Sequence, residues 1–346
     1  MKKKILLVCS RNSPGPMKVI KNLQGVVNQY IQADCINIED FLIPRFHFKS
    51  KILNYKYLRM QEYLNLLRLD RISEYGDNIF LVAWGALYDV LLKRLNRRGV
   101  KPSLIMCSTI GQSDFNDLDR LYMLQVIDNV MKGRVKDFLL NKRLYMSLGK
   151  ILPRAIYFPH PVDLSQFSSI IPQKLPGINI DIFVSLRPGK NIMNQIFAVK
   201  ISSIDCVLHI NFRNPQIERF IKTLSLQTKV HSWIPDSEYY NLVAGMTLSL
   251  QVTFTESFSY AVCERMCLSV PTITSYDIDL ISEDRFLSKY LCVEGLDTPT
   301  QIAERLKKIV GDDKLREELS IRCRERINKI AQENNRIVKE YFSINI

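Results

Sequence analysis

The segment LSLQVTFTESFSYAVCERMCLSVPTITS, residues 248–275, carries the pattern that decides the fold. It begins with the apolar run LSLQV, which predicts a buried β-strand, and a second apolar run starts at Val270. Between these runs, the turn TFTES leads into FSYAVCERMC, whose composition and spacing predict a helix. A strand, a helix and another strand in succession predict a β–α–β unit with parallel strands. Two acids interrupt this unit, Glu256 in the turn and Glu264 in the helix.

The same alternation runs through both halves of the chain. KKILLVCS with the turn RNSPGP predicts a first strand and a helix from about Met17, and INIDIFVSL with the loop RPGKN predicts another pair with a helix from about Ile192. A chain of 346 residues is too long for one ordinary core. We therefore predict an α/β protein with two Rossmann-like domains on parallel sheets. Its parts are an N-terminal domain (1–158), a linker (159–176), a C-terminal domain (177–325) and a final helix (326–346) expected to pack back on the first domain.

Composition excludes several classes of protein. Apolar residues make up 47% and charged residues 24%, which is typical of a globular rather than a disordered chain. The longest apolar run, IFLVAWGALYDVLL, is shorter than the ~20 residues that a membrane-spanning helix needs. The apolar run in MKKKILLVCSRN is too short for a signal peptide and predicts a strand. The eight cysteines form no CxxC pair, which predicts reduced thiols in the cytoplasm and no metal site.

Positive charge is concentrated in the first half. The net charge is +13, and residues 1–158 hold 26 Lys and Arg against 13 Asp and Glu. The remaining residues therefore carry no net charge. Two interpretations stay open: solubility, or contact with an anionic partner such as a membrane surface. The segment from Ile43 to Ile72 is likewise either an amphipathic membrane-contact element or a core helix with a basic outer face. The pI is about 9.3, yet no nucleic-acid-binding motif is present, so no nucleic acid is expected as a partner.

The two acids point to a ligand that carries hydroxyls at both ends. Ligands of open α/β sheets bind beyond the carboxyl ends of the strands, where Glu256 is expected, and the first amides of the following helix favour a phosphate. If the intervening residues are helical, Glu264 lies roughly 12 Å or less away. Carboxylates accept hydrogen bonds from paired hydroxyls. A nucleotide sugar matches this arrangement, because it has a sugar at one end, a ribose at the other and a diphosphate between them.

Two cations in the loop SLRPGKN, Arg187 and Lys190, are expected at the same edge of the sheet, where they would offset a diphosphate. The alternative for each side chain is a purely structural one. Glu256 would then be a helix N-cap, and Glu264, Arg187 and Lys190 would be ordinary surface charges.

Three stretches together resemble a known family: SLRPGKN, HSWIPDSEYYNLVAGMTLSLQVTFTESFSYAVCERMCLSVPTITS and, before them, IYFPHPVDLSQF. They are similar to the retaining glycosyltransferases of family 4, whose Glu–seven residues–Glu motif is matched by Glu256 and Glu264. The resemblance covers roughly residues 150–280. It implies the GT-B fold, in which two Rossmann-like domains face each other across a cleft, with the acceptor held by the first domain.

The resemblance also implies the chemistry. A sugar would pass with retention, and without a bound metal or other cofactor, from a UDP- or GDP-linked donor to a glycan or lipid-linked acceptor. The setting would be cell-surface polysaccharide synthesis by a cytoplasmic protein, peripheral on the inner face of the plasma membrane. The implied catalytic residues are Glu256, Arg187 and Lys190. The implied donor-binding residues are Glu264, Ser257, Phe258, Ser259, Trp233, Ile234 and Gly15.

Some positions depart from the family pattern. Ser185 stands where many members have Arg, and Ser269 stands where they have Gly. CSTIGQSD occupies the place of a first-domain His, since His160 is expected in the linker, and His209 and His231 within strands. These departures leave open an inactive nucleotide-sugar-binding relative. Two alternatives have other grounds: a nucleotide-sugar epimerase, which would share the fold, and a nucleic-acid-binding protein, which only the high pI favours.

Overall fold

The computed structural model describes residues 4–10, 14–41, 72–114, 116–232 and 234–345. The chain divides into two compact units, the first made of Met1–Asp163 with Glu333–Ile346 and the second of Leu164–Gln332. Each unit contains a six-stranded sheet in which every strand pair is parallel. The predicted α/β class with two Rossmann-like domains is confirmed. The basic segment predicted from Ile43 to Ile72 lies outside the described residues, apart from Ile72 itself.

The first sheet has the strand order β2-β1-β3-β4-β5-β6. Its strands are β1 (Lys4–Cys9), β2 (Gln32–Asn37), β3 (Ile79–Val82), β4 (Ser103–Met106), β5 (Phe138–Leu140) and β6 (Ala155–Tyr157). The helices described in this unit are α1 (Pro14–Val27), α2 (Ala86–Arg97), α3 (Ile110–Ser113), α4 (Asp117–Met131) and α5 (Lys142–Leu148). Helix α1 therefore begins at Pro14 rather than near Met17, as is usual for a proline in a first helical turn.

The second sheet has the order β12-β11-β10-β7-β8-β9. Its strands are β7 (Ile178–Ile182), β8 (Cys206–Ile210), β9 (Thr228–Val230), β10 (Leu248–Gln251), β11 (Thr272–Ser275) and β12 (Cys292–Val293). The helices are α6 (Ile192–Ser202), α7 (Pro215–Thr223), α8 (Asp236–Ala244), α9 (Tyr260–Cys267), α10 (Asp279–Ser282), α11 (Arg285–Leu291), α12 (Pro299–Val310) and α13 (Asp313–Asn345). The chain reverses its direction of travel across the sheet between β7 and β10, which makes this pair the switch point where ligands of such sheets bind.

The apolar runs of the sequence are continuous because the strands they form are buried on both faces of the sheet. All four residues of β3 and of β4 are buried, because parallel sheets are covered by helices on both faces. Leu81, Leu104 and Phe138 at the centre of the first sheet are fully inaccessible to solvent. Within the described residues, no helix combines the length and the apolar character that crossing a bilayer would require.

The end of α13 belongs to the first unit. The Phe342 ring meets the Phe80 ring edge-on at 5.3 Å, and the Tyr341 hydroxyl donates a hydrogen bond of 2.7 Å to Asp137. Asn334 Nδ2 donates to the carbonyl oxygen of His160 at 2.9 Å. His160 is itself buried, so this helix forms part of the core of the first unit.

We expect His160 to make stability depend on pH. Burial lowers the pKa of His160 to about 4, below the ~6.5 of an exposed histidine. Between these values the unfolded chain binds a proton that the folded chain does not, so the free energy of unfolding falls as pH falls from 6.5 towards 4. In urea unfolding, the stability of wild type relative to His160→Gln should drop by about 2 kcal/mol between pH 7.5 and pH 5. Parallel pH dependences for the two proteins would contradict the assignment.

Ser269 occupies a backbone conformation that suits glycine. It follows the end of α9 with φ 59°, and its amide bonds back to Met266 at 3.1 Å. A residue with this conformation after a helix is usually glycine. Ser269→Gly should raise the free energy of unfolding by about 0.5–1 kcal/mol in urea denaturation. The control Ser288→Gly, inside α11, should instead lower it by about 0.5 kcal/mol, and a loss at both positions would refute the argument.

Candidate functional site

Two loops meet at the carboxyl edge of the second sheet. Strands β7 and β10 are neighbours, with Ser249 paired to Asp181 in register. The loop after β7 contains Lys190 and the loop after β10 contains Glu256. The amide of Phe254 donates to the carbonyl of Gly189 at 2.9 Å, which joins the two loops through their backbones. The switch point of the sheet therefore brings together two loops that lie far apart in sequence.

Gln195 in α6 holds both loops in place. Its side chain is fully buried, and Nε2 donates to the Lys190 carbonyl at 2.7 Å while Oε1 accepts from the Val252 amide at 3.0 Å. No sequence motif marks this residue. A single glutamine in a helix carries no signal of its own, because its importance comes from the two loops it links.

Lys190 and Glu256 form an ion pair across the switch point. Their side chains keep only 15% and 9% of their accessible surface, and Glu256 Oε1 also accepts from the amide of Ser257 at 3.1 Å. The alternative of Glu256 as a helix N-cap is wrong, because the capping position of α9 is Ser259. Lys190 is likewise not a free surface charge.

The other predicted site residues are placed as follows. Arg187 is exposed, and its guanidinium makes no hydrogen bond or ion pair within the described ranges. Ile234 is partly buried and packs against the apolar cluster that contains Phe183 and Leu242, whereas Trp233 lies outside the described residues. Gly15 belongs to the first unit, in α1, where an added Cβ would meet no atom within 4 Å. The structure thus joins Lys190 and Glu256 directly, and it leaves Arg187 outside that contact.

Helix α9 begins two residues later than expected. It starts at Tyr260, preceded by Ser259 in a left-handed conformation with φ 56°. The Ser259 side chain makes no capping bond, and its buried Oγ hydrogen-bonds to no residue in the part of the chain that the structure describes. Because Glu256 to Ser259 are not helical, the helical estimate of the spacing between Glu256 and Glu264 does not apply. The predicted phosphate-binding amide of Phe258 lies in the turn before the helix.

Glu264 is buried, with only 3% of its surface exposed, so the alternative of a surface residue is wrong. The hydroxyl of Tyr240, in α8, lies 3.4 Å from Glu264 Oε1. Burial, and then the charge of Glu264, raises the pKa of Tyr240 above its ordinary value. The tyrosine therefore stays protonated and can donate to the carboxylate.

A second ion pair connects α9 to strand β7. Arg265 and Asp181 contact each other, and the side chains of both are completely buried. The Ser249 hydroxyl also donates to Asp181, and Arg265 Nη1 donates to the carbonyl of Ala261 at 2.7 Å. This pair connects the helix that carries Glu264 to the strand that precedes the Lys190 loop, and no pattern in the sequence indicated it.

Sequence comparison finds no relative, since no family model matches the chain and no curated protein matches it. Comparison with solved structures finds many. Sucrose-phosphate synthase from Thermosynechococcus elongatus is similar with a TM-score of 0.75 and 14% identity, over 99% of this chain and 100% of that one. The fold is GT-B.

Two further GT-B neighbours were solved with ligands. HepE from Anabaena, in complex with UDP, has a TM-score of 0.67 at 12% identity, over 99% of this chain and 100% of its own. A variant of TarM from S. aureus, in complex with Fondaparinux, alpha-GlcNAc-glycerol and UDP, has a TM-score of 0.70 at 11% identity. That match covers 98% of this chain and 99% of TarM. At these identities the likeness establishes the fold.

Proposed function

We propose that this GT-B chain is a retaining glycosyltransferase that moves a sugar from a UDP- or GDP-linked donor to a glycan or lipid-linked acceptor. The observation that carries the proposal is the largely buried Lys190–Glu256 ion pair at the switch point of the second sheet. A buried lysine and glutamate at a ligand-binding edge supply one group for a diphosphate and one for a sugar hydroxyl. GT-B neighbours whose structures contain UDP support the same donor class.

The roles follow from the chemistry of each group. The ammonium of Lys190 would leave Glu256 and stabilise the charge that develops on the departing diphosphate. Glu256 would then accept hydrogen bonds from the donor sugar and hold its anomeric carbon in position. The Ser259 hydroxyl and the amides of Phe258 and Ser259 would donate to phosphate oxygens.

The remaining residues would complete the binding site for the donor. Glu264, steadied by Tyr240, would accept from the ribose hydroxyls, and Arg187 would add a second cation to the diphosphate. Trp233 and Ile234 would border the nucleobase. No cofactor or metal takes part in this proposal.

The proposal for the acceptor rests on the distribution of charge in the sequence. The excess of basic residues in the first 158 suits an anionic membrane surface, which would place the protein in the cytoplasm, on the inner face of the plasma membrane, in polysaccharide biosynthesis. Flotation with anionic liposomes at low and high salt tests this part. Equal behaviour with neutral and anionic vesicles would remove the membrane, but not the enzyme.

Thermal-shift and turnover screening against UDP-, GDP-, ADP- and dTDP-sugars tests the enzyme. One donor should stabilise the wild type at millimolar concentration and be consumed, and Glu256→Ala should abolish consumption. Stabilisation without turnover would favour an inactive nucleotide-sugar-binding relative. If no nucleotide sugar has any effect, the proposed function is refuted.

A further inference from the structure

Three polar side chains form a chain of hydrogen bonds across one face of the second sheet. Asn179 is in β7, His209 is in β8 and His231 follows β9. His209 Nε2 lies 2.9 Å from Asn179 Oδ1, and His209 Nδ1 lies 2.9 Å from His231 Nε2. His209 is completely buried, whereas His231 keeps partial exposure. The chain therefore leads from the interior to the carboxyl edge of the sheet.

The position of each proton in this chain follows from Asn179. Its Nδ2 donates to two carbonyl oxygens, those of Pro176 at 3.0 Å and Gly177 at 3.1 Å, so Oδ1 can only accept. His209 must then carry its proton on Nε2, which leaves Nδ1 as an acceptor. His231 donates to it through Nε2–H, and in a neutral ring the Nδ1 of His231 is consequently an acceptor.

Both rings are neutral near pH 7, as this assignment requires. Burial, and then His231 and Lys229, lowers the pKa of His209 to about 4. Burial, and then Lys229, also lowers the pKa of His231, although Asp181 opposes the shift. The proton order is therefore unique at neutral pH.

His231 stands three residues before Ile234, which the proposed function places against the nucleobase. Its ring packs edge-on against Phe183 at 5.6 Å, and its Nδ1 hydrogen-bonds to none of the described residues. We propose, resting on the proposed function, that His231 Nδ1 accepts a hydrogen bond from the ring N–H of the nucleobase. Uracil and guanine carry such a ring N–H at their base-pairing edge, whereas adenine has a ring acceptor there. The site would thus select uridine or guanosine donors over adenosine donors.

The binding test uses nucleotides that differ only at this hydrogen. Calorimetry would compare UDP with N3-methyl-UDP, and GDP with N1-methyl-GDP, on the wild type, on His231→Ala and on the matched neighbour Ser232→Ala. In the wild type and in Ser232→Ala, methylation of the preferred base should weaken binding about tenfold, as expected for the loss of one hydrogen bond. His231→Ala should bind the unmodified nucleotide about tenfold more weakly and bind both forms equally well. A methylation penalty that persists unchanged in His231→Ala would overturn the inference.

A spectroscopic test reads the proton order directly. Long-range proton–nitrogen correlation spectra of the wild type should show His231 with a bare Nδ1 and a protonated Nε2, and the Nδ1 resonance should shift when the preferred nucleotide binds. A protonated Nδ1 would overturn the inference. If no nucleotide binds the wild type, the proposed function fails, and this inference fails with it. If nucleotides bind with no dependence on His231, only this inference fails.

Discussion

Replacing Lys190 by Met should lower kcat by about 100-fold or more at saturating donor, with a smaller effect on donor affinity. In the proposed function, this ammonium stabilises charge that develops on the leaving diphosphate. Removal of one preorganised electrostatic group at a developing negative charge typically costs 100- to 1000-fold in rate. Steady-state turnover and calorimetric binding of the donor, measured side by side, separate the two effects.

The ion pair also contributes to folding, so stability must be measured in the same variants. Lys190→Met leaves Glu256, whose side chain is 9% exposed, without its cation, and this is expected to destabilise the second unit. The double variant Lys190→Met/Glu256→Gln removes the unpaired charge and should recover most of the stability without recovering turnover. Lys200→Met, on the exposed side of α6, should change neither quantity. Recovery of turnover in the double variant would show that the pair is structural only.

The sequence predicted the parts of the site that depend on local pattern. Glu256 and Lys190 each follow an apolar run, and the rule that ligands bind beyond the carboxyl ends of parallel strands was enough to place both at one edge. The same reasoning predicted β1, β7, β10 and β11. It did not predict β5, β6 or β12, each of two or three residues, because so short an apolar run does not differ from a helix segment or a loop.

The parts that were missed depend on partners that are distant in sequence. Asp181 and Arg265 are 84 positions apart. Taken alone, neither position differs in its sequence pattern from an ordinary charged surface residue. Tyr240 and Glu264 are 24 positions apart, and they likewise meet only in the folded chain. The late start of α9 has a different cause, since the left-handed conformation of Ser259 is not encoded by a glycine. Pattern reasoning therefore located the site but could not supply its supporting contacts.

The largest loss of stability is expected from Arg265→Met. Both members of the Asp181–Arg265 pair are completely buried, so this change leaves a carboxylate in the core without its cation. Breaking such a pair typically costs about 3–5 kcal/mol, because the remaining charge is desolvated and unpaired. The hydroxyl of Ser249 is the only other side-chain donor to Asp181 among the described contacts, and one hydroxyl does not replace a guanidinium. Urea denaturation followed by circular dichroism measures the loss.

The double variant Asp181→Val/Arg265→Met separates the effect of the buried charges from the effect of side-chain shape. Two apolar side chains of similar volume remove both buried charges, and replacements of this kind are often neutral or stabilising. The double variant should therefore be several kcal/mol more stable than Arg265→Met alone, although the carbonyl of Ala261 loses one donor. If it is as unstable as the single variant, the pair acts through the geometry it imposes on α9 and not through its charge. Donor binding by the double variant would then show whether Glu264 needs that geometry, because its helix would have lost the tie to β7.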